Sequence, residues 1–364
     1  MGSSTGFSAF QITSFAPAVN LPEPYTKNTT FPLALAPSNP GIPLSDLISE
    51  IAHLSQSGQI RCLLNTHGAI YFKDLHLRSA SDFSQFAHAF GYAPHEDIGN
   101  PVRRTALAPN VATANEGPKT QPIHPHNEFG LSPHHPAYVF FYCAAAPISG
   151  GETPLNSSVA LLHHLQRKHP AFIAEIERRG VAYTLFYPNA PRDQTASPGT
   201  SVLQAWGAHV LDSDDAETAR RKVEAEVRRL PTATWAGENR SADNALGDLR
   251  VWQRLPAVRT HPSTGERTFF NNAVSRFLNA VAAGTLEAPH INAEGAYQPP
   301  AFYGDGEIIP SEYFDAAVEF IRETRALVPW REGDVVLLDN YAVQHGREPW
   351  TGERKLLASL WDGP

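Results

Sequence analysis

Two short segments, far apart in the sequence, constrain the fold of this chain most. His126-Asn127-Glu128 places an imidazole and a carboxylate two residues apart. In extended backbone, residues i and i+2 point to the same side of a strand, so both groups can reach one metal ion. A third ligand is available near the other end of the chain, where His345 follows the apolar run Val335–Leu338. A fold that uses all three groups must bring the two segments together.

A His-x-Glu tripeptide alone is more often a solvated pair than a metal site, but three further features favour the metal. Gly150-Gly151-Glu152-Thr153 follows at a short distance, and His345 comes after a buried-strand pattern. Arg354 opens the mostly apolar run 355–361 and can offer a carboxylate a bidentate fork of N–H donors. Two histidines and one carboxylate on one face of a metal leave the opposite positions open, as in the non-heme Fe(II) oxygenases.

A set of segments in a fixed order carries a family resemblance over about residues 65 to 362. The segments are Thr113–Glu116, His124–Glu128, Phe140–Cys143, Gly150–Pro154, Tyr303–Gly306, Val328–Trp330 and Gly333–Arg347. No single segment is decisive, but together they resemble the taurine dioxygenase (TauD/TfdA) family of Fe(II)/2-oxoglutarate oxygenases. Within that family, the chain is most similar to the clavaminate synthase-like branch.

The resemblance implies an enzyme and assigns roles to its residues. It implies that His126, Glu128 and His345 bind Fe(II), and that Arg354 and Thr153 hold the cosubstrate 2-oxoglutarate. The implied reaction uses O2 to convert 2-oxoglutarate to succinate and CO2 while a C–H bond of a small molecule is oxidised. Halogenating relatives carry a small residue in place of the carboxylate ligand, so the resemblance implies hydroxylation or a related oxidation, in secondary metabolism.

Three residues are candidates for the substrate side of the metal: Asn115, Asn271 and Trp330. Asn115 resembles a family residue that lines this side. The alternative for each is structural, with an asparagine capping loop backbone and the tryptophan filling the core. Taurine-type members hold the substrate sulfonate with a second arginine, four residues beyond the clamp. That position is Ala358 here, so we expect a substrate that is uncharged or zwitterionic at this end.

Some neighbouring residues leave alternatives open. Arg347 competes with Arg354 as the clamp, although its place beside the ligand loop better fits a structural ion pair. His124 could be an alternative ligand, but Pro125 disturbs the strand register between His124 and His126. Asp339-Asn340 is expected to tie down the loop that aims His345.

The pattern of elements predicts a β-rich α+β protein. Many short strands, with helices early in the chain and in insertions, indicate a barrel or sandwich with helical decoration. The resemblance implies a double-stranded β-helix (a jelly roll, cupin-like) with flanking helices. Residues 1–40 are expected to be extended or partly disordered, and 41–364 to form one dioxygenase domain. Residues at about 188–250 are expected to be an insertion that covers the active site and has no core of its own.

Composition narrows the possible partners. The net charge of −8, with basic residues that are not clustered, argues against nucleic acid. The longest apolar run, Tyr138–Ile148, is too short to cross a bilayer, so no membrane partner is expected. Cys62 and Cys143 form no disulfide framework and fit a reducing interior, and no signal peptide is recognisable. We therefore expect a cytoplasmic protein; its oligomeric state is open, with a homodimer as one possibility.

Two competing functions remain open at this point. The same chemistry could act on an amino acid tethered to a carrier protein, as in some members of this branch, and a basic docking patch would favour that. The scattered lysines and arginines give no sign of one. The chain could instead be a catalytically inert cupin-like binding protein, but the intact ligand set together with Arg354 argues against this.

Overall fold

The computed structural model describes residues 7–14, 17–99, 104–114, 117–190 and 201–363. The helices in these ranges are Leu44–Gln56, Gln59–His67, Ala80–His88, Ser158–Lys168, Pro170–Arg179, Val202–Trp206, Ala216–Val227, Ala273–Ala283 and Ser311–Thr324. None of the helices in the described part of the chain is long and apolar enough to cross a membrane.

A large sheet forms the centre of the molecule. In spatial order its strands are Phe10–Thr13, Leu33–Pro37, Ala69–Phe72, Val335–Asp339, Tyr138–Ala145, Lys355–Asp362, Val111–Thr113 and Ala106–Ala108, with Ala93–Pro94 also paired to Lys355–Asp362. Leu33–Pro37 and Ala69–Phe72 run parallel, whereas the other pairs are antiparallel. The strand Tyr138–Ala145 is buried over most of its length because both faces of this sheet are covered.

A second, smaller sheet faces the large one. Its strands in spatial order are Ala326–Val328, Thr153–Ser157, Val343–Arg347 and Ile123–His126. One apolar cluster takes side chains from both sheets, including Phe141 and Val336 from the large sheet and Leu155 and Val343 from the small one. The two sheets therefore form a sandwich around a shared core.

Helices cover the outer face of each sheet. The helix Leu44–Gln56 buries Leu47, Ile51 and Leu54, at the i, i+4, i+7 spacing of one helical face, against the large sheet. A second cluster joins Ser158–Lys168, Pro170–Arg179, Ala273–Ala283 and Ser311–Thr324. The helix Ala273–Ala283 also packs near the strand Ile123–His126, so it lies beside one of the candidate ligand segments.

A third sheet includes strands from residues 188–250, the region expected to be an insertion. Its strands are Ala233–Glu238, Asp248–Leu255, Val181–Tyr187 and Phe302–Tyr303. A cluster with Trp206, Val223, Val227 and Leu249 packs against it, so this region does contribute to an apolar core, contrary to the sequence expectation. The core forms because the helix Ala216–Val227 buries small apolar residues at every fourth position. Two-stranded ribbons complete the described strands: Val19–Asn20 with Thr30–Phe31, Ser149–Gly150 with Trp350–Thr351, and Arg259–Thr260 with Arg267–Thr268.

The structure has several sheets together with helices, which confirms the expected combination of strands and flanking helices. The sheets do not close into a barrel among the described strands. Within residues 1–40, the described part is mainly extended, and Phe10–Thr13 and Leu33–Pro37 pair into the large sheet.

Candidate metal centre

Paired strands of the small sheet bring together the three side chains proposed as ligands. Ile123–His126 and Val343–Arg347 are antiparallel, with His126 directly opposite His345. Glu128 Oε2 lies 3.3 Å from His345 Nε2 and 3.9 Å from His126 Nε2. One ligand atom from each residue falls within 4.8 Å of the others. That spacing suits a single ion held by two imidazoles and a carboxylate.

The protonation states of the site suit a metal ion. His126 Nδ1 lies 2.8 Å from the backbone oxygen of His124, to which it can donate its proton, and this leaves Nε2 with a free lone pair. Burial, and then His345, lower the pKa of His126 to about 4. Burial alone would raise the pKa of Glu128, but Arg104 and the two histidines lower it overall. A neutral imidazole and an ionised carboxylate are the forms in which these groups bind metals.

A buried amide network fixes the backbone that carries Glu128. Asn340 Oδ1 accepts the Glu128 N–H at 2.8 Å, and Asn340 Nδ2 donates to the Glu128 carbonyl at 2.9 Å. Asn127 Nδ2 donates to the Asn340 carbonyl at 2.7 Å, while Gln344 Nε2 lies 3.3 Å from Asn127 Oδ1. These contacts join the segments on which Glu128 and His345 lie, so the ligands are positioned by the folded protein itself.

The loop after Val335–Asp339 is also stabilised by a contact between Asp339 and His261. Asp339 Oδ2 lies 2.9 Å from His261 Nε2, and both side chains are buried. Asp339 Oδ1 accepts the N–H of Tyr341 at 3.0 Å. Asp339 and Asn340 thus tie the loop that precedes His345.

Two of the three candidate substrate residues, Asn271 and Trp330, lie in the part of the chain that the structure describes. Asn271 is buried, and its side chain donates to the Ala257 carbonyl at 2.8 Å and accepts the Ala273 N–H at 3.0 Å. Trp330 lies in the core between the sheets and donates from Nε1 to Thr153 Oγ1 at 3.0 Å. Asn115 lies outside the described residues. The side chain of Asn271 therefore has a structural role, because it bonds to the backbone of Ala257 and Ala273.

Arg354 contacts the Gly150-Gly151 turn, and Thr153 follows that turn in the sequence. Arg354 Nε donates to the Gly151 carbonyl at 2.9 Å, and burial, then Arg347, lower its pKa to about 10, so it remains a cation at neutral pH. Thr153 is buried on the strand Thr153–Ser157. It is two residues from Leu155, which pairs with His345, so Thr153 and Leu155 share a face of the small sheet.

The two alternatives considered from sequence occupy different surroundings. Arg347 donates from Nη2 to the carbonyls of Pro118 and Gln121 at 3.0 and 2.9 Å, and its guanidinium carbon lies 4.5 Å from the centre of the Trp350 ring. Among the described residues, His124 does not join the cluster of three ligand atoms. The contacts of Arg347 are those of a residue that ties loop backbone together.

Gly151 provides a test of the clamp through its close approach to Arg354. Its φ is +73°, and a Cβ there would lie 2.9 Å from Arg354 Cδ and 3.0 Å from Trp350 Cβ. We expect Gly151→Ala to displace the Arg354 side chain and raise the 2-oxoglutarate concentration needed for half-maximal succinate formation about tenfold, which corresponds to about 1.4 kcal/mol. Iron content should be unchanged.

Gly265→Ala is the matched control for that variant. Gly265 has a similar φ of +75°, but a Cβ there meets nothing within 4 Å. Both variants should lose stability through backbone strain of about 1–2 kcal/mol, whereas only Gly151→Ala should weaken 2-oxoglutarate binding. Equal affinities in the two variants would show that Gly151 does not act through Arg354.

Arg104 is a residue of the site that sequence reasoning missed. Its Nη2 donates to Glu128 Oε1, the carboxylate oxygen other than the one nearest the histidines. Arg104 is one of two adjacent arginines just before the short strand Ala106–Ala108, and nothing in that stretch marks it as functional. Only the folded arrangement brings it to Glu128.

A half-buried histidine beside the ligand loop makes stability depend on pH. The ring of His135 packs 4.6 Å from the Phe270 ring and 5.1 Å from the Tyr341 ring, between ring centres. Burial, and then the positive charge of Arg259, lower the pKa of His135 to about 3. Since the unfolded chain binds this proton at about pH 6.5, His135 favours the folded state above that pH, and the effect is lost as pH falls from about 6.5 towards 3.

We expect His135→Gln to remove this part of the acid sensitivity. Between pH 7.5 and 5.5 the variant should lose about 1.4 kcal/mol less unfolding free energy than the unmodified chain, measured by urea denaturation. His53→Gln removes an exposed imidazole and is the matched control for the substitution itself. An unaltered slope in His135→Gln would mean that another group controls the acid response.

Two histidines and one carboxylate with ligand atoms within 4.8 Å of one another form a candidate non-heme metal centre of the two-histidine, one-carboxylate type. The profile of the family described as "Taurine catabolism dioxygenase TauD, TfdA family" matches residues 29–361. The chain belongs to this family.

Two named relatives and one solved structure are similar to this chain. The chain is 28% identical over 333 residues to a clavaminate synthase-like protein of Arabidopsis thaliana, covering 91% of this chain and 93% of the relative. It is 25% identical over 309 residues to the dapdiamide synthesis protein DdaC of Enterobacter agglomerans, covering 82% and 84%. Among solved structures, the PvcB protein of Pseudomonas aeruginosa aligns with a TM-score of 0.49 at 15% identity, covering 100% of this chain and 95% of that one.

The protein is therefore an Fe(II)/2-oxoglutarate-dependent dioxygenase that uses O2. Its donor set fits this assignment, because two imidazoles and one carboxylate suit iron and leave positions open for other ligands.

Proposed function

We propose that this enzyme oxidises an unactivated C–H bond of a small molecule, by hydroxylation or a related reaction, in a pathway of secondary metabolism. The observation that carries the proposal is the convergence of His126, Glu128 and His345 to within 4.8 Å, at the junction of two paired strands. We further propose that the two facing sheets form the jelly-roll core of the family.

Each residue then has a defined task. His126, Glu128 and His345 would hold the iron, and Arg354 with Thr153 would bind a carboxylate of 2-oxoglutarate. When bound, iron and 2-oxoglutarate supply the oxidising chemistry, with succinate and CO2 as the products of the cosubstrate. The protein contributes by holding the target C–H bond near the metal and by keeping the ligands in a rigid arrangement.

The proposed substrate is a free small molecule in the cytoplasm. Support comes from the relative DdaC, which is named for dapdiamide synthesis. The alternative substrate is an amino acid on a carrier protein, and the alternative of another class is an inert cupin-like binding protein. The proposed oligomeric state is a homodimer, whichever of these substrates the enzyme uses.

Succinate formation separates the enzyme from an inert protein. Purified protein with Fe(II), ascorbate and 2-oxoglutarate should release succinate slowly without substrate, and faster with a true substrate from a panel of free metabolites. Protein treated with a chelator is the control and should release none. Absence of succinate from iron-loaded protein, with and without the panel, would contradict the proposal. Turnover only of carrier-bound amino acids would favour the alternative substrate.

A further inference from the structure

Trp330 and Thr153 share a hydrogen bond in the space between the two facing sheets. Trp330 Nε1 lies 3.0 Å from Thr153 Oγ1, and the two residues are only 7% and 2% exposed. Val328, two residues before Trp330, is the strand partner of Thr153, so the contact is made where two strands of the small sheet pair. Trp330 also belongs to the apolar cluster that both sheets share, so this bond is shielded from water.

The turn that carries Trp330 is fixed to the large sheet. Asp334, four residues further on, is buried, and its Oδ1 accepts the Asp74 N–H at 3.1 Å. The Tyr71 hydroxyl contacts Asp334 Oδ2 and lies 3.2 Å from the Pro329 carbonyl oxygen. These contacts hold both ends of the turn, so the indole N–H has a defined position.

The direction of the bond determines how the hydroxyl can be used. An indole nitrogen can only donate, so Thr153 Oγ1 is the acceptor. In the part of the chain that the structure describes, the Thr153 hydroxyl makes no other hydrogen bond, and the indole N–H keeps the hydroxyl proton pointing elsewhere. Accepting one hydrogen bond polarises a hydroxyl and strengthens the bond that it donates. Thr153 is therefore set to donate to a ligand.

The hydroxyl lies close in the chain to the turn that Arg354 contacts. Thr153 comes two residues after Gly151, whose carbonyl accepts Arg354 Nε at 2.9 Å. The two terminal nitrogens of Arg354 make no hydrogen bond within the described residues, so they can bind a ligand. A group that meets only donors on both sides must offer acceptors only, and an ionised carboxylate does so.

We propose that Trp330 is a positioning residue for the cosubstrate, whose N–H holds the Thr153 hydroxyl as a donor to a carboxylate of 2-oxoglutarate. This inference rests on the proposed function and gives Trp330 a task at the cosubstrate in place of one at the substrate. Because Trp330 acts through Thr153, its N–H should affect cosubstrate affinity and the choice between a carboxylate and an amide. It should not affect the rate at saturating cosubstrate.

The test measures binding of a cosubstrate analogue to Mn(II)-loaded enzyme by isothermal titration. The analogue is N-oxalylglycine, in which an N–H replaces one methylene group of 2-oxoglutarate and which does not turn over. Trp330→Phe keeps an aromatic ring but removes the N–H, and it should weaken binding about fivefold, which corresponds to about 1 kcal/mol. In steady-state assays the KM for 2-oxoglutarate should rise by a similar factor, with kcat retained.

Trp361→Phe is the matched control. Trp361 is also fully buried, but its Nε1 has no hydrogen-bond partner in the described part of the chain. Both substitutions remove the same atoms from the core, whereas only Trp330→Phe should weaken binding of the analogue. If lost packing unfolds Trp330→Phe, benzothienylalanine at position 330 keeps the shape of the indole without its N–H and gives the same comparison.

Selectivity provides a readout that lost packing would not change. In the amide made at the glycine end of the analogue, an NH2 group, which only donates, replaces one acceptor oxygen. Without the indole N–H, the Thr153 oxygen becomes a better acceptor for that NH2 group. The preference for the carboxylate over the amide should therefore narrow by at least about threefold in Trp330→Phe and stay the same in Trp361→Phe.

Variants of Thr153 test the bond from the other side. Thr153→Val has nearly the same shape but no hydroxyl, and it should weaken binding of the analogue at least about fivefold, whereas Thr153→Ser should match the unmodified enzyme. In the Thr153→Val background, Trp330→Phe should cause no further loss of affinity, because the hydroxyl through which it acts is absent.

The outcomes separate this inference from the proposed function. Unaltered affinity in Trp330→Phe, an equal loss in Trp361→Phe, full affinity in Thr153→Val, additive losses in the double variant or unchanged selectivity would each overturn the inference. Failure of the unmodified Mn(II)-loaded enzyme to bind either the analogue or 2-oxoglutarate would instead contradict the proposed function.

Discussion

Replacing His126, Glu128 or His345 by alanine is expected to abolish stoichiometric iron binding and to reduce succinate formation by at least about a hundredfold. Loss of a group that merely supports a metal ligand already costs 10–100-fold in affinity or activity, and these side chains would bind the ion themselves. The three ligand atoms lie within 4.8 Å of one another, and no fourth described histidine, cysteine or carboxylate joins them to compensate. Metal analysis of the purified variants measures the effect directly.

His124→Ala is the matched control for these variants. It removes an imidazole two residues from His126, while the backbone carbonyl that accepts the His126 proton is kept. Iron content and turnover should be close to normal, and circular dichroism should show folded protein in all four variants. A His345→Ala protein with full iron content, or iron loss in His124→Ala alone, would move the third ligand to another residue.

The second large effect is expected at the clamp. Arg354→Ala should raise the 2-oxoglutarate concentration needed for half-maximal activity roughly tenfold to thousandfold, because a charge-assisted bidentate contact contributes a few kcal/mol. Iron binding should persist, since Arg354 donates to the Gly151 carbonyl and is not one of the three ligand residues. Isothermal titration of 2-oxoglutarate into Mn(II)-loaded protein separates cosubstrate affinity from turnover.

Arg354→Lys and Arg347→Ala distinguish the role of the clamp from a general effect of charge. Lysine keeps the positive charge but offers no planar fork, so its affinity should fall between those of arginine and alanine. Arg347→Ala should lower stability by releasing the carbonyls of Pro118 and Gln121, with little change in 2-oxoglutarate affinity. If Arg347→Ala weakens cosubstrate binding and Arg354→Ala does not, the clamp assignment is wrong.

Local sequence patterns were sufficient to identify the candidate ligands. The spacing of His126 and Glu128, and the buried strand before His345, depend only on neighbouring residues. The family resemblance added the cosubstrate residues and the class of reaction. Long-range pairing is different, because no local pattern determines that His126 lies opposite His345.

The supporting residues were harder to recognise for a physical reason. Sequence reasoning predicts that Asn340 ties down the loop before His345, but it does not identify Asn127, because a buried asparagine resembles any loop asparagine in a sequence. Arg104 was missed because its partner Glu128 is reached only after folding. The core near the helix Ala216–Val227 was missed because its buried side chains are few and separated by charged residues.

The position of the strand Lys355–Asp362 has a consequence for how the protein is made. This strand lies inside the large sheet, between Tyr138–Ala145 and Val111–Thr113, and its neighbours are synthesised long before it. Until residue 362 has been synthesised, the edges of Tyr138–Ala145 and Val111–Thr113 that pair with this strand have no partner strand. Contacts between such distant residues slow folding, and open strand edges promote aggregation. The large sheet can therefore be completed only after this last strand has been synthesised, which makes its assembly a late step in folding.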